Sequence, residues 1–178
     1  MLVRRLYLLR HAKSSWDAPE LADVNRPLAP RGRRDAEAMA GYMEQQGIVP
    51  ALVLCSPARR ARQTVKPLRK WLPEGAIVID EKLYAAPAEQ LHQRVREIPD
   101  GVQSAMLVAH EPGIRELALL LAGTGDAEAR ARMEEKFPTG ALAALEVPAD
   151  HWRSIASGDA ELLWFVTPKS LRERVASA

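Results

Sequence analysis

Short runs of uninterrupted apolar residues at 6–9, 51–55, 76–79 and 105–109 constrain this chain more than any other feature. Each is the length of a strand. None alternates with polar residues, as a strand with one solvated face would. Continuous apolar strands belong in a sheet covered on both sides, and that requires helices between them. The intervening segments supply helical patterns at about residues 30–46, 57–71, 87–97 and 112–122. Pro30, Pro57 and Pro112 each fit a first helical turn, Ser56 fits an N-cap, and Gly47 and Gly123 fit C-terminal positions.

After residue 140 the pattern changes. Residues 141–147 and 161–166 read as two more strands of the same sheet, one of them antiparallel, without a crossover helix between them. The charged, Ala-rich stretch 124–136 reads as a solvated helix. No repeat, low-complexity tract or linker divides the 178 residues. The expected architecture is one α/β domain spanning 1–178, a three-layer α/β/α sandwich around a mostly parallel sheet, with no cap insertion.

Charge narrows the function classes. Lys and Arg number 25 against 23 Asp and Glu, a net +2 that gives no basic footprint for nucleic acid. The longest apolar run, 117–122, is far short of the ~20 residues of a membrane span. Nothing at the N-terminus reads as a secretion signal. A single cysteine excludes an internal disulfide framework and a thiolate-built zinc site. The expectation is a cytoplasmic protein that binds neither nucleic acid nor membrane.

In parallel sheets ligands bind beyond the carboxyl ends of the strands, so the residues that follow each run carry the chemistry. Arg10-His11 follow the first run, Ser56-Pro57-Ala58-Arg59-Arg60 the second, and His110 the fourth. Cations and imidazoles thus converge on one edge. Arginine forks match phosphate oxygens, and an imidazole held beside the phosphorus could attack it in line. There is no G-x-x-x-x-G-K-[ST] loop and no G-x-G-x-x-G. Cys55 precedes an arginine-rich loop, but the position a cysteine phosphatase would fill with arginine is Ala61. Cys55 therefore reads as a small buried hydrophobe.

The segment Leu8-Leu9-Arg10-His11-Ala12-Lys13-Ser14 resembles the signature of the histidine phosphatase superfamily, the group that includes the phosphoglycerate mutases. Ala12 replaces the usual glycine, a variant similar to the small SixA-type phosphohistidine phosphatases. The resemblance continues through Arg26-Pro27-Leu28 with Arg31-Gly32, and through Ser56-Pro57-x-x-Arg60-Ala61-x-Gln63-Thr64. It ends with Val108-Ala109-His110-Glu111-Pro112-Gly113, Phe137-Pro138-Thr139-Gly140 and Thr167-Pro168-Lys169.

The resemblance implies that His11 is a nucleophile that becomes phosphorylated, that Arg10 and Arg60 clamp phosphate, and that His110 is a second pocket histidine. Spacing alone leaves Arg59 and Arg60 open; the family pattern selects Arg60 and leaves Arg59 and Arg62 as solvated helix residues. Lys13, Ser14 and Glu111 border the pocket as candidate substrate contacts. No metal or organic cofactor is implied.

One departure bears on substrate. The family's acid, which protonates a leaving oxygen, would fall after Lys82-Leu83-Tyr84, where this chain has Ala85-Ala86-Pro87. Such an acid contributes roughly 10²–10⁴-fold to ester cleavage, whereas a phosphoramidate can be protonated beforehand. The missing acid therefore points to phosphohistidine, and the lack of a lid to a phosphorylated side chain on a partner protein. The resemblance implies a histidine phosphotransfer domain or a phosphotransferase carrier as that partner, and the small, lid-free chain points to a monomer. The alternatives are a small-molecule phosphomonoesterase using Glu81 or Glu89 as acid, and a non-catalytic phosphate-binding module. An unperturbed His11 would lose activity below about pH 6.5.

Overall fold

In the computed structural model, which describes residues 1–178, strands and helices alternate as expected. In chain order they are β1 (Val3–Arg10), α1 (Pro30–Gln45), β2 (Leu52–Cys55), α2 (Arg59–Val65), β3 (Ile77–Ile79), α3 (Ala88–Arg96), β4 (Ser104–Ala109), α4 (Gly113–Leu121), β5 (Ala122–Gly125), α5 (Ala127–Glu135), β6 (Leu142–Pro148), β7 (Ala160–Val166) and α6 (Pro168–Ala176). The seven strands form one sheet in the order β3-β2-β4-β1-β6-β7-β5. β6 runs antiparallel to both of its neighbours, and the remaining pairings are parallel. No helix is long and apolar enough to cross a membrane.

The sheet divides two cores, which makes the sandwich three-layered. On one face Leu6, Leu8, Leu107 and Leu145 pack with Leu91, Ile114, Leu117 and Met133 from α3, α4 and α5. On the other, Leu9, Val53, Met106 and Val108 meet Met39, Met43, Val65 and Leu171 from α1, α2 and α6. Residues that alternate along β1 thus feed opposite cores, which is why the run is apolar throughout. The segment from β3 to α3 holds only a short 3-10 turn (Glu81–Leu83) in addition, and no cap is inserted.

Several local expectations change. The helix expected over 57–71 becomes α2 followed by a 3-10 stretch, Lys66–Lys70. Pro67 has no N–H to donate back along an α-helix, and the tighter turn accommodates that. Pro57 and Ser56 lie ahead of α2, whose N-cap is Ala58, so Ser56 does not cap it. Pro112 takes the N-cap position of α4.

Gly47 ends α1 in the left-handed conformation, as expected. Gly123 instead lies within β5, against the backbone of Gly158; a Cβ there would stand 2.0 Å from that residue's carbonyl oxygen. Close backbone approach, not helix termination, requires glycine at 123. β5 and α6 are additional elements, and α5 occupies only part of the expected 124–136 helix.

Candidate active site

Register assembles the pocket. β1 and β4 are adjacent and parallel with Arg10 opposite Ala109, so His11 and His110 leave the sheet side by side. Their rings stand 5.0 Å apart between centroids. β2 pairs with the other edge of β4, Cys55 opposite Val108, which brings Ser56 next to His110. Arg60, in the first turn of α2, then folds back over both histidines. The four residues Arg10, His11, Arg60 and His110 are therefore neighbours although they span a hundred residues of chain.

The hydrogen bonds decide which imidazole nitrogens are bare. His11 Nδ1 lies 2.7 Å from the Ala12 carbonyl, which can only accept, so Nδ1 carries the proton. His11 Nε2 is then an unprotonated acceptor, facing Arg60 Nε at 3.3 Å. In His110 the relation is reversed. Arg60 donates to Nδ1 at 3.3 Å, so Nε2 carries the proton and donates to Ser56 Oγ at 2.7 Å. That is the work of Ser56 in place of helix capping.

Burial is the main force on both rings and favours their neutral forms, with the neighbouring arginines adding to it. The pKa of His11 falls to about 3 and that of His110 to about 4. The acid limb expected near 6.5 from an unperturbed His11 is therefore displaced downward. Arg10 is also pushed below its usual value, by burial and by Arg60, with Glu111 opposing.

Backbone contacts fix the frame. The Gly140 N–H donates to the carbonyls of Arg10 and His11 at 3.1 and 3.0 Å, and Arg10 donates to the Phe137 carbonyl at 2.8 Å. The Ala12 N–H donates to Thr64 Oγ1, and Gln63 accepts from the Leu28 N–H. The Phe137-Pro138-Thr139-Gly140 and Gln63-Thr64 motifs thus buttress the pocket from opposite sides.

Asp23, which sequence reasoning missed, is central. Its carbonyl accepts from Arg60 at 2.7 Å, and its carboxylate accepts from Arg60 at 3.0 Å, Arg26 at 3.1 Å and the Tyr84 hydroxyl at 2.6 Å. The Tyr84 bond, reinforced by the two arginines, holds its carboxyl down at about 2. The spacing of Asp23 three residues before Arg26 was a visible ion-pair signal, but nothing local points Asp23 at Arg60. Tyr84 also sets its ring edge-on to His110, centroids 5.5 Å apart. Arg26 bonds Asp23 and the Ser15 carbonyl, and its guanidinium lies 3.5 Å over the exposed Trp16 ring.

Lys13, Ser14 and Glu111 flank the four central residues without hydrogen-bonding to them. Lys13 is exposed, and its carbonyl accepts from the Ala29 N–H. Ser14 is buried in an isolated bridge with Leu28. Glu111 pairs with Arg115 at 3.5 Å and keeps one buried oxygen without a partner. Glu81 and Glu89 are exposed and make no bond to the pocket. Cys55 is buried, with its thiol pushed up to about 12 mainly by desolvation, which fits packing and not nucleophilic work.

Residues 6–98 match the family described as the histidine phosphatase superfamily, branch 1. The chain belongs to that superfamily. An uncharacterized protein of Mycobacterium leprae is 38% identical over 167 residues, covering 90% of this chain and all of the relative. Phosphohistidine phosphatase SixA of Escherichia coli is 24% identical over 94% of this chain and 96% of its own length. A crystal structure from Agrobacterium tumefaciens, assigned as a phosphohistidine phosphatase SixA, superposes with a TM-score of 0.78. It is 31% identical, with 93% of this chain and 98% of that chain covered. This histidine phosphatase thus shares its fold and superfamily with phosphatases, and its pocket sets Arg60 against an unprotonated nitrogen of His11.

Proposed function

We propose that this phosphatase removes the phosphoryl group from phosphohistidine on a partner protein, through a covalent intermediate on His11. The observation that carries the reading is the protonation pattern of the pocket. His11 Nε2 is unprotonated and faces Arg60, while Asp23, the carboxylate bonded to Arg60, is held ionised at about 2 and has no proton to give.

In the proposed cycle, the Nε2 lone pair attacks phosphorus as the bond to the substrate nitrogen breaks. The substrate ring, already protonated on its other nitrogen, takes the electron pair of the breaking bond and leaves as a neutral imidazole. Arg10, Arg60 and His110 stabilise the transferring oxygens. The Nδ1 proton, held on the Ala12 carbonyl, supports the positive charge that grows on the ring. Water then attacks phospho-His11, releasing inorganic phosphate and a proton and restoring the free imidazole. An ester would need an acid that neither Glu81 nor Glu89 supplies from its exposed position. The similarity to proteins named SixA supports the same substrate class, and the lack of a cap leaves room for a protein-borne phosphoryl group.

The test offers a phosphohistidine protein, a phosphoserine peptide and a small phosphate ester, without added metal, to wild type and to His11→Ala. Rapid, His11-dependent loss of phosphohistidine alone is expected. Preferential turnover of the ester would overturn the reading and return attention to Glu81 and Glu89.

A further inference from the structure

Residues 45–73 hold six cations, Arg59, Arg60, Arg62, Lys66, Arg69 and Lys70, and no acidic residue. The whole chain is only +2, so with this segment at +6 the remainder carries a net −4. Arg60 turns inward to the pocket. The other five are exposed, at spacings that place them along one face of α2 and its 3-10 continuation, while Ala61, Thr64, Val65 and Leu68 are buried on the opposite side.

Arg59, Arg62, Lys66 and Arg69 have no carboxylate within ion-pairing distance; Lys70 alone reaches one, Glu37, at 3.4 Å. Like charges three and four residues apart repel one another, so such a row is unfavourable to the free protein unless something neutralises it. The row starts at the pocket, since exposed Arg59 is next to Arg60. From there it runs down the flank for about 20 Å at the rises of the two helix types. Between it and α1 lies an open groove of about 450 Å³ in which Arg33, Lys66, Arg69 and Lys70 outnumber one carboxylate, Glu37.

We propose that this ridge is the docking surface for an acidic face on the phosphorylated partner protein, a proposal that rests on the protein-phosphohistidine reading above. A partner seated there would present its phosphoryl group at the mouth of the pocket and neutralise the unpaired cations. The ridge would speed encounter and select substrates without touching the reacting atoms, so its effect belongs to kcat/KM for protein substrates and depends on salt.

The test uses two phosphohistidine peptides of equal length, one carrying a run of glutamates to one side of the phosphohistidine and the other glutamines. Phosphoramidate serves as the small substrate. Wild type should favour the glutamate peptide by about tenfold in kcat/KM at low salt and lose the preference at about 0.5 M salt. The triple variant Arg62→Glu, Lys66→Glu, Arg69→Glu should abolish the preference and, at about 0.5 M salt, leave phosphoramidate turnover within about twofold of wild type, since that small anion enters the pocket without touching the ridge and salt screens its longer-range attraction. The matching triple change to Gln should give an intermediate preference.

Equal turnover of both peptides by wild type would overturn the ridge and leave the phosphohistidine reading standing. If neither peptide were cleaved but an ester were, the substrate reading would fail and the ridge with it. Inhibition by duplex DNA stronger than by the unphosphorylated glutamate peptide would assign the surface to nucleic acid and overturn the proposal.

Discussion

Arg4 and Arg10 stand near opposite ends of β1, and their even spacing turns both toward the same face of the sheet. Arg4, at the amino end, is fully buried. It donates to the carbonyls of Ala149, Asp100, Val102 and Asp150, and its guanidinium lies 5.4 Å from the Trp152 ring centroid. Arg10, at the carboxyl end, donates to one protein acceptor, the Phe137 carbonyl, and its buried Nε has none. Arg60 is nearly as buried as Arg4 yet faces the two histidines, so burial alone does not separate an arginine that closes the fold from one that lines the pocket. The distinction lies in whether the surrounding backbone uses up the donors, and in what other groups converge where it does not.

Substitutions at the two ends should fail in different ways. Arg10→Ala has the largest expected effect, a loss of about 10³-fold in kcat/KM, since it removes charge-assisted donors from the developing phosphoryl oxygens. Its melting temperature should change little, and a thermal scan beside the kinetics checks this. Arg4→Met should do the reverse. Losing the fully buried guanidinium's bonds to four carbonyls, of which Val102's keeps Trp152 Nε1 as a donor, costs about 3–5 kcal/mol of stability, seen as a Tm lower by roughly 10 °C, with kcat per folded molecule retained. If Arg4→Met lowered kcat as strongly as Arg10→Ala, the division between the ends would collapse.

Acidification probes the carboxyl end through its two histidines. His11 and His110 titrate at about 3 and about 4 in the fold, against about 6.5 in the unfolded chain. As pH falls below about 6.5 the unfolded state takes up protons that the folded state refuses, so stability declines from there, until about 4 for His110 and about 3 for His11. Corrected for substrate ionisation, kcat/KM should stay level through pH 6.5 and turn down only toward about 4, where His110 protonates. A midpoint near 6.5 in the activity profile would show the histidines to be solvated after all.

A smaller effect is expected at Asp23. Asp23→Asn removes a negative charge that competes for Arg60, while the backbone carbonyl still holds the guanidinium. Inhibition by inorganic phosphate should tighten by several-fold, and kcat should fall by no more than about tenfold, since one charge at a half-exposed position is partly screened. The smallest effect belongs to Cys55→Ala, which should leave activity within about twofold, because the thiol packs and takes no part in the pocket.

Much of this was legible before the fold was known. The continuous apolar runs pointed to a doubly covered sheet. That holds for three of them but not for 76–79, the edge strand β3 with Val78 and Ile79 exposed. The residues just beyond the first and fourth runs, Arg10, His11 and His110, lie at the carboxyl edge. The other elements were less visible. β5 is Ala-Gly-Thr-Gly, a turn by composition, and becomes a strand only because β7 offers it an edge. α6 did carry a local signal, the capping box of Thr167 and Ser170 around Pro168, on a helix with few apolar residues.

What the sequence by itself determined is the layer order and the set of side chains delivered to one edge, since both follow from periodicity and the ends of strands. Only the tertiary structure decided their chemistry. The bare nitrogen on His11, the opposite tautomer of His110, the Asp23–Tyr84 brace on Arg60 and the closed donor set of Arg4 depend on partners far away in the chain. Hydrogen bonds and desolvation act over a few ångströms of space, and no spacing along the chain records those distances.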